Sequence, residues 1–201
     1  MSEPTTDGAV LRTDRLLLRR WDPSDPADVD FLFDTYSRWE VQRFVGRVPR
    51  VMEHRDEALG LAERWANHGD VLPYGIWAAT RASDGDRLGT VLLKSIPASG
   101  PTEPLQPSGD TEIGWHFHPD AWGHGYATEG AAAVLAAAFE TGYERVVAVT
   151  HPENRASQAV CRRLGMTALG LSDAYYNATC ALFEILREPA ARTRETAPIP
   201  E

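Results

Sequence analysis

The sequence predicts a mixed α/β (α+β) domain, and two observations carry this prediction. The chain has 201 residues, of which 43% are hydrophobic and 24% charged, a balance that suits one globular domain with a real core. Apolar spacing and turn residues indicate the element order β-αα-βββ-α-β-α-ββ, which is neither a simple βαβ repeat nor a barrel. No stretch approaches the ~20 consecutive apolar residues that a membrane-spanning helix needs.

The first predicted elements are one strand and two helices. Arg15 to Trp21 predicts the strand, and the Asp-Pro-Ser-Asp segment after it is typical of a helix start. Apolar residues at helical spacing predict helices over Pro26 to Arg38 and over Arg55 to His68. Between these helices lies an aromatic and basic segment, Trp39 to Glu53.

The middle of the chain predicts three strands. Tyr74 to Thr80 and Leu88 to Ile96 are joined by a strong turn signal at Ser83 to Asp86. The segment Pro97 to Asp110 contains four prolines and is predicted to be a mobile loop. A third strand follows over Thr111 to His118.

The last third alternates between helices and strands, and glycine ends both helices. In order we expect a helix over Ala127 to Thr141 ending at Gly142, a strand over Val146 to Thr150, a helix over Arg155 to Leu164 ending at Gly165, and a closing pair of strands over Ala168 to Ala174 and Thr179 to Leu186.

Charge and cysteine content narrow the functional classes. The 29 acidic and 20 basic residues give a net charge of −9, which disfavours nucleic-acid binding and suits a cationic ligand, although solubility explains the charge equally well. Cys161 and Cys180 lack metal-site spacing, so we expect buried thiols. We expect a cytoplasmic protein with no membrane association, a polar arm over residues 1–10, one domain over 11–187 and a disordered tail over 188–201.

The most informative segment, His118 to Glu129, joins a strand to a helix through a loop with two glycines. Gly123 and Gly125 allow successive N–H groups to point into one concavity. The first helical turn adds unpaired N–H groups and the positive end of the helix dipole. This arrangement predicts an anion site suited to a pyrophosphate.

Four segments in order carry a resemblance to a known family: RTDRLLLRRW, TEIGW, WGHGYATEG and NRASQAVCRRLGM. The chain resembles the GCN5-related N-acetyltransferase (GNAT) superfamily, most closely its ribosomal-protein N-acetyltransferase (RimJ/RimL-like) branch, from about Leu11 to Leu186. The resemblance implies a central mixed, mostly antiparallel and splayed sheet flanked by helices. It also implies acetyl-CoA as the acyl-donor substrate, with no metal.

The resemblance assigns the binding of acetyl-CoA to a defined set of residues. Backbone groups of the glycine loop bind the pyrophosphate, those of the preceding strand pair with pantetheine, and an asparagine bonds the pantetheine arm. The residues so implied are Trp115, His116, Phe117, Trp122, Gly123, His124, Gly125, Tyr126, Ala127, Thr128 and Asn154. Trp122 departs from the Gln or Arg that much of the superfamily has there.

By the same resemblance, Glu112 matches the general base and Ser157 the general acid that protonates the departing thiolate. His116 and His118 are alternative bases, because strand alternation puts them on the same face as Glu112. Ordinary roles remain open, a solvated strand residue for Glu112 and a helix-start residue for Ser157. Cys161 occupies the position of the family's tyrosine acid.

The acceptor is expected to be a primary amine. An α-amino group, with a pKa of ~7.7–8.0 against ~10.4 for lysine, is neutral more often at pH 7, which favours a peptide N-terminus or a similar small-molecule amine. Two alternatives stay open, a non-catalytic acyl-CoA-binding module and the use of succinyl-CoA, whose carboxylate could pair with arginines. These arginines are Arg38, Arg43, Arg47 and Arg50. A homodimer is compatible with the resemblance.

Overall fold

The computed structural model describes residues 11–68 and 74–188, which form an eight-stranded sheet flanked by helices. In chain order the elements are β1 (Leu11–Arg12), β2 (Leu16–Arg20), α1 (Pro26–Tyr36), α2 (Trp39–Gln42), α3 (Arg55–Ala66), β3 (Gly75–Arg81), β4 (Arg87–Pro97), β5 (Pro107–Phe117), a 3-10 turn (Pro119–Ala121), α4 (Tyr126–Glu140), β6 (Arg145–Thr150), α5 (Arg155–Arg163), β7 (Thr167–Ser172) and β8 (Cys180–Leu186). The mixed α/β class is confirmed.

The sheet has the order β1-β2-β3-β4-β5-β6-β8-β7 and is antiparallel at every junction except one. That junction joins β5 and β6 in parallel through a single residue pair, Glu112 opposite Val147. Beyond this pair β5 stays paired with β4, and β6 stays paired with β8. The two strands therefore separate and leave a wedge in the middle of the sheet, as the family resemblance predicts.

Helices cover both faces of the sheet and fix the strands around the wedge. The apolar side of α4, including Val134 and Ala138, packs with Val91 of β4 in the larger core. Gly130 allows this close approach, because a Cβ there would lie 3.0 Å from a Val91 methyl carbon. On the other face, α1 and α3 pack around Trp21 in a second core. Each fully buried Val or Leu side chain contributes about 1.5–3 kcal/mol.

The predicted proline-rich loop is shorter in the structure, so this prediction is wrong at both ends. β4 continues to Pro97 and β5 begins at Pro107, and these two prolines face each other. Proline lacks only the N–H donor, so it is tolerated where pairing ends. Both sides of the Asn177 amide bind the loop backbone at Gly100, at 2.8 and 3.0 Å.

The remaining differences from the predicted elements concern short or terminal segments. The prediction contained neither the two-residue strand β1 nor the one-turn helix α2, which both fall below the length at which periodicity is readable. The predicted arm over 1–10 and the tail beyond Glu188 lie outside the described residues. Within 11–68 and 74–188, no helix combines the length and apolar character needed to cross a membrane.

Candidate active site

A cavity of about 920 Å³ lies at the wedge between β5 and β6. Its walls come from the end of β5, the start of α4, the end of β6 and the start of α5, with segments 40–47 and 176–180 beside them. Every residue predicted from the sequence to bind acetyl-CoA, except His124, lines this cavity, as do Glu112 and Ser157.

One end of the cavity is the glycine loop at the start of α4. Gly123 and Gly125 have φ values of +79° and +82°, which side chains other than glycine rarely adopt. Gly125 is the N-cap residue of α4, and no side chain of the described chain caps that helix. The N–H groups of its first turn therefore remain available to an anion, which fits the pyrophosphate of an acyl-CoA.

Residues outside the cavity hold this loop in shape. The Arg15 guanidinium donates to the carbonyl of His124 (3.0 Å) and to the carboxylate of Glu129 (2.7 Å), and it lies over the Tyr126 ring. Thr13 Oγ1 donates to the same carboxylate at 2.5 Å. With its carbonyl turned outward to Arg15, His124 contributes to the loop through its backbone. This contact between the β1–β2 turn and α4 was not predicted from the sequence.

Two further contacts complete the loop end of the cavity. Arg163 of α5 donates to Thr128 Oγ1 at 3.2 Å and places a cation beside the start of α4. The Trp122 indole Nε1 donates to the carbonyl of Phe117 at 2.8 Å. Trp122 therefore joins the loop to the end of β5.

At the vertex of the wedge lies a group of three polar side chains, a buried carboxylate and two half-buried partners. Glu112 is 8% exposed, and its Oε2 accepts a hydrogen bond from the Tyr176 hydroxyl. Lys94, the only lysine of the chain, donates to Tyr176 Oη at 2.7 Å and lies 3.5 Å from the same carboxylate oxygen. Burial raises the pKa of Glu112, while the charge of Lys94 and the Tyr176 hydrogen bond oppose that rise.

Tyr176 has a φ of +58°, and Asn177 after it has a φ of +51°. Such left-handed conformations are uncommon for residues other than glycine and cost free energy, so contacts must hold them. The Asn177 bonds to the proline-rich loop and the Tyr176 bond to Glu112 supply those contacts. Tyr176 and Lys94 come from segments distant in sequence, and the sequence analysis missed both.

The two histidines proposed as alternative bases have different environments. His116 shares the cavity with Glu112, and a 2.9 Å hydrogen bond joins its Nδ1 to Tyr36 Oη. Burial, with a smaller effect of Lys94, lowers the pKa of His116 to about 4, so its ring is a weak base at neutral pH. His118 lies outside the cavity lining, where its Nε2 donates to Asp34 at 3.1 Å.

The start of α5 brings Asn154 and Ser157 to the cavity. Asn154 Oδ1 accepts a hydrogen bond from the Ser157 N–H at 3.1 Å, so this asparagine caps the helix as its sequence position also allows. Cys161 is fully buried, and burial raises the pKa of its thiol to about 12, which keeps it protonated. Within 11–68 and 74–188, no cluster of three or more His, Cys, Asp or Glu residues could hold a metal ion.

A splayed sheet whose gap connects an anion-binding helix N-terminus with a buried carboxylate is the arrangement of an acyl-CoA-dependent transferase. Residues 15–167 match the family model described as an acetyltransferase (GNAT) domain. The chain therefore belongs to the GNAT family of acetyltransferases, which bind acetyl-CoA.

Individual relatives agree with this family assignment. The chain is 26% identical over 167 residues to the uncharacterized N-acetyltransferase YoaA of Bacillus subtilis, covering 83% of this chain and 87% of the relative. A GNAT-family acetyltransferase structure from Bacillus anthracis aligns with a TM-score of 0.68 at 20% identity, over 90% of this chain and 100% of that one. RimL, a ribosomal L7/L12 alpha-N-protein acetyltransferase solved with coenzyme A, aligns with a TM-score of 0.67 at 18% identity, over 89% and 98%. These structural likenesses establish the fold.

Proposed function

We propose that this enzyme transfers the acetyl group of acetyl-CoA to a primary amine, with Glu112 as the general base and Ser157 as the general acid. The observation that carries the proposal is the position of Glu112, a buried carboxylate at the vertex of the wedge. It lies in the same cavity as the uncapped start of α4.

Acetyl-CoA would supply an activated thioester, with its pyrophosphate bound by N–H groups from Gly123 to Thr128. The protein residues must then accept the proton that the attacking amine loses and donate one to the leaving sulfur. Glu112 Oε2 already accepts from Tyr176, which leaves Oε1 as the oxygen that receives the proton. The raised pKa of Glu112 brings its proton affinity closer to that of an amine, which favours the transfer.

Ser157 is proposed as the acid because the family's tyrosine is replaced by a thiol. Cys161 is buried and does not line the cavity, whereas Ser157 does. The Asn154 cap fixes the first turn of α5 and so the position of Ser157. The proposed acceptor is a peptide or protein N-terminus or a small-molecule amine, whose weakly basic amino group suits a base of modest strength.

The test combines binding and turnover. Isothermal titration with acetyl-CoA and with free coenzyme A measures binding, and thiol release with a panel of amines measures transfer. We expect Glu112→Gln to bind acetyl-CoA normally and to lower turnover by about ten-fold or more, the usual range for a lost general base. The matched control is Glu140→Gln, at the exposed end of α4. Absence of binding, or unchanged turnover in Glu112→Gln, overturns the proposal.

A further inference from the structure

The segment that joins α1 to α3 contains four arginines near the acceptor side of the cavity, and two of them are already neutralised. Arg38 lies 2.9 Å from a carboxylate oxygen of Asp34. Arg50 forms an ion pair with Glu57. Because these two guanidinium groups have internal partners, neither needs an anion from outside.

The other two arginines line the cavity without such a partner. Arg43 and Arg47 are exposed, and no carboxylate of residues 11–68 and 74–188 lies within ion-pair distance of either one. Arg43 is held against an aromatic wall, its guanidinium 4.5 Å from the ring centroid of Phe44, whose own ring contacts His151. Stacking fixes the plane of a guanidinium while its N–H edges stay free for a bidentate anion.

Other charges in the cavity are committed elsewhere. Lys94 is bound to Tyr176 and Glu112 at the vertex, and Arg163 lies at the opposite end beside the start of α4. Glu40 also lines the cavity, with its carboxylate 3.9 Å from Arg38. Among the described lysine and arginine side chains that line the cavity, the free ones are therefore Arg43 and Arg47, which are exposed to solvent and so lie at its rim.

We propose that Arg43 and Arg47 form a carboxylate-binding site at the rim of the cavity and select an acceptor that carries a carboxylate near its amino group. This inference rests on the proposed function and names the substrate class of the same site. An amine anchored at the rim by its carboxylate can extend its amino group inward to the buried Glu112. A succinyl carboxylate on the acyl donor would instead lie deeper, where the negative charge of Glu112 opposes it.

The charge of the whole chain explains why a carboxylate needs local cations. With a net charge of −9, the protein attracts the ammonium group of such an acceptor and repels its carboxylate. Two unpaired arginines at the rim reverse the local potential at the point of entry. Their effect is expected to weaken with added salt, because both side chains are exposed to solvent.

The experiment uses matched pairs of acceptors, in which one member has a carboxylate and the other has an amide in its place. The peptide amides Ser-Glu-Ala-NH₂ and Ser-Gln-Ala-NH₂ share an α-amino group, and β-alanine with β-alaninamide forms a small-molecule pair. We expect kcat/KM with acetyl-CoA to favour the carboxylate member of at least one pair by about ten-fold, typical of a charge-assisted hydrogen bond. Arg43→Gln with Arg47→Gln is expected to reduce that preference to about two-fold or less.

The matched control is Arg38→Gln with Arg50→Gln, which removes the same charge from the same segment and is expected to keep the preference. The affinity for free coenzyme A, measured by titration, is expected to stay the same in both double variants. A loss of that affinity in the Arg43 and Arg47 variant would assign the arginines to a phosphate of the donor and overturn the inference. Equal activity on both members of both pairs, or activity on none, also overturns it. Failure of acetyl-CoA to bind the unaltered enzyme would instead refute the proposed function.

Discussion

Replacing Lys94 by methionine removes the positive charge nearest to the proposed base. The Lys94 Nζ lies 3.5 Å from Glu112 Oε2. Coulomb's law with an effective dielectric constant of about 20 gives an attraction of about 5 kcal/mol at this separation, an upper bound. The Tyr176 hydroxyl bonded to Lys94 and water in the cavity weaken it. We therefore expect a smaller loss, about 1.4 kcal/mol, which corresponds to one pH unit.

The sign follows from the chemistry of a general base. As the proposed base, Glu112 would act when deprotonated, so activity is expected to rise as the pH passes upward through its pKa. Burial raises this pKa and Lys94 opposes the rise, so Lys94→Met raises it further. The rising limb of kcat/KM against pH should therefore move to higher pH by about one unit.

The assay is thiol release from acetyl-CoA across the pH range, with a saturating amine. Lys94→Arg keeps the charge and should leave the rising limb close to that of the unaltered enzyme. The affinity for coenzyme A should not change in either variant, because Lys94 pairs with Glu112, five residues before the end of β5 at Phe117 and so before the glycine loop. An unmoved limb in Lys94→Met would refute the reasoning that Glu112 is the titrating base.

Three further predictions concern the glycine loop and the buried histidine. Arg15→Ala removes the hydrogen bond to the His124 carbonyl. It should weaken acetyl-CoA binding, measured by titration, by about ten-fold, which is typical of a lost charge-assisted bond. The control Arg12→Ala, at an exposed residue of β1, should leave the affinity unchanged. Gly125→Ala places a side chain at a φ of +82°, so the free energy of unfolding in urea should fall by roughly 1–2 kcal/mol and coenzyme A should bind more weakly. Unchanged values would contradict the claim that this position requires glycine. The folded-state pKa of His116, about 4, lies below its ordinary value, so the unfolded state takes up the proton first as the pH falls. The free energy of unfolding should therefore fall by at most about 3 kcal/mol between about pH 6.5 and 4. Urea unfolding at pH 7 and at pH 4.5 measures this fall, which should be smaller in His116→Gln.

Local signals in the sequence account for much of the fold and for one end of the site. Gly142 and Gly165 have φ values of +101° and +78°, as expected of residues that end helices. The two glycines of the loop before α4 could also be predicted to have positive φ values, because this conformation depends mainly on the residue itself. These features depend on near neighbours in the chain, which is why the sequence alone predicts them.

Contacts between distant segments could not be predicted in this way. Lys94 and Tyr176 are separated by 82 positions and meet because β4 pairs with β5 and the β7–β8 connection turns back over the sheet. Neither residue belongs to a motif that the sequence displays. The bond from Arg15 to Glu129 spans 114 positions and joins the β1–β2 turn to a helix, so only the packed structure reveals it.

On the acceptor side too, the sequence indicates candidate residues, and contacts in the folded chain distinguish between them. The sequence indicated four arginines that could bind a carboxylate, but which of them are free depends on their carboxylate partners. Asp34 lies four positions before Arg38 and is a partner that helical spacing allows. Glu57 lies on α3 and reaches Arg50 only because the intervening segment folds back. The structure therefore separates the paired arginines from Arg43 and Arg47.

The single residue pair between β5 and β6 has a consequence for how the sheet resists association. Exposed strand edges invite pairing with other chains, and proteins usually cover or shorten them. Here two edges, that of β5 after Glu112 and that of β6 after Val147, are left open inside the fold. Helices cover both faces of the sheet, and residues 112–117 and 148–150 of the two edges line the cavity. Under the proposed function, these unpaired edges would bind the pantetheine amides inside the fold, away from the outer strands of the sheet, β1 and β7.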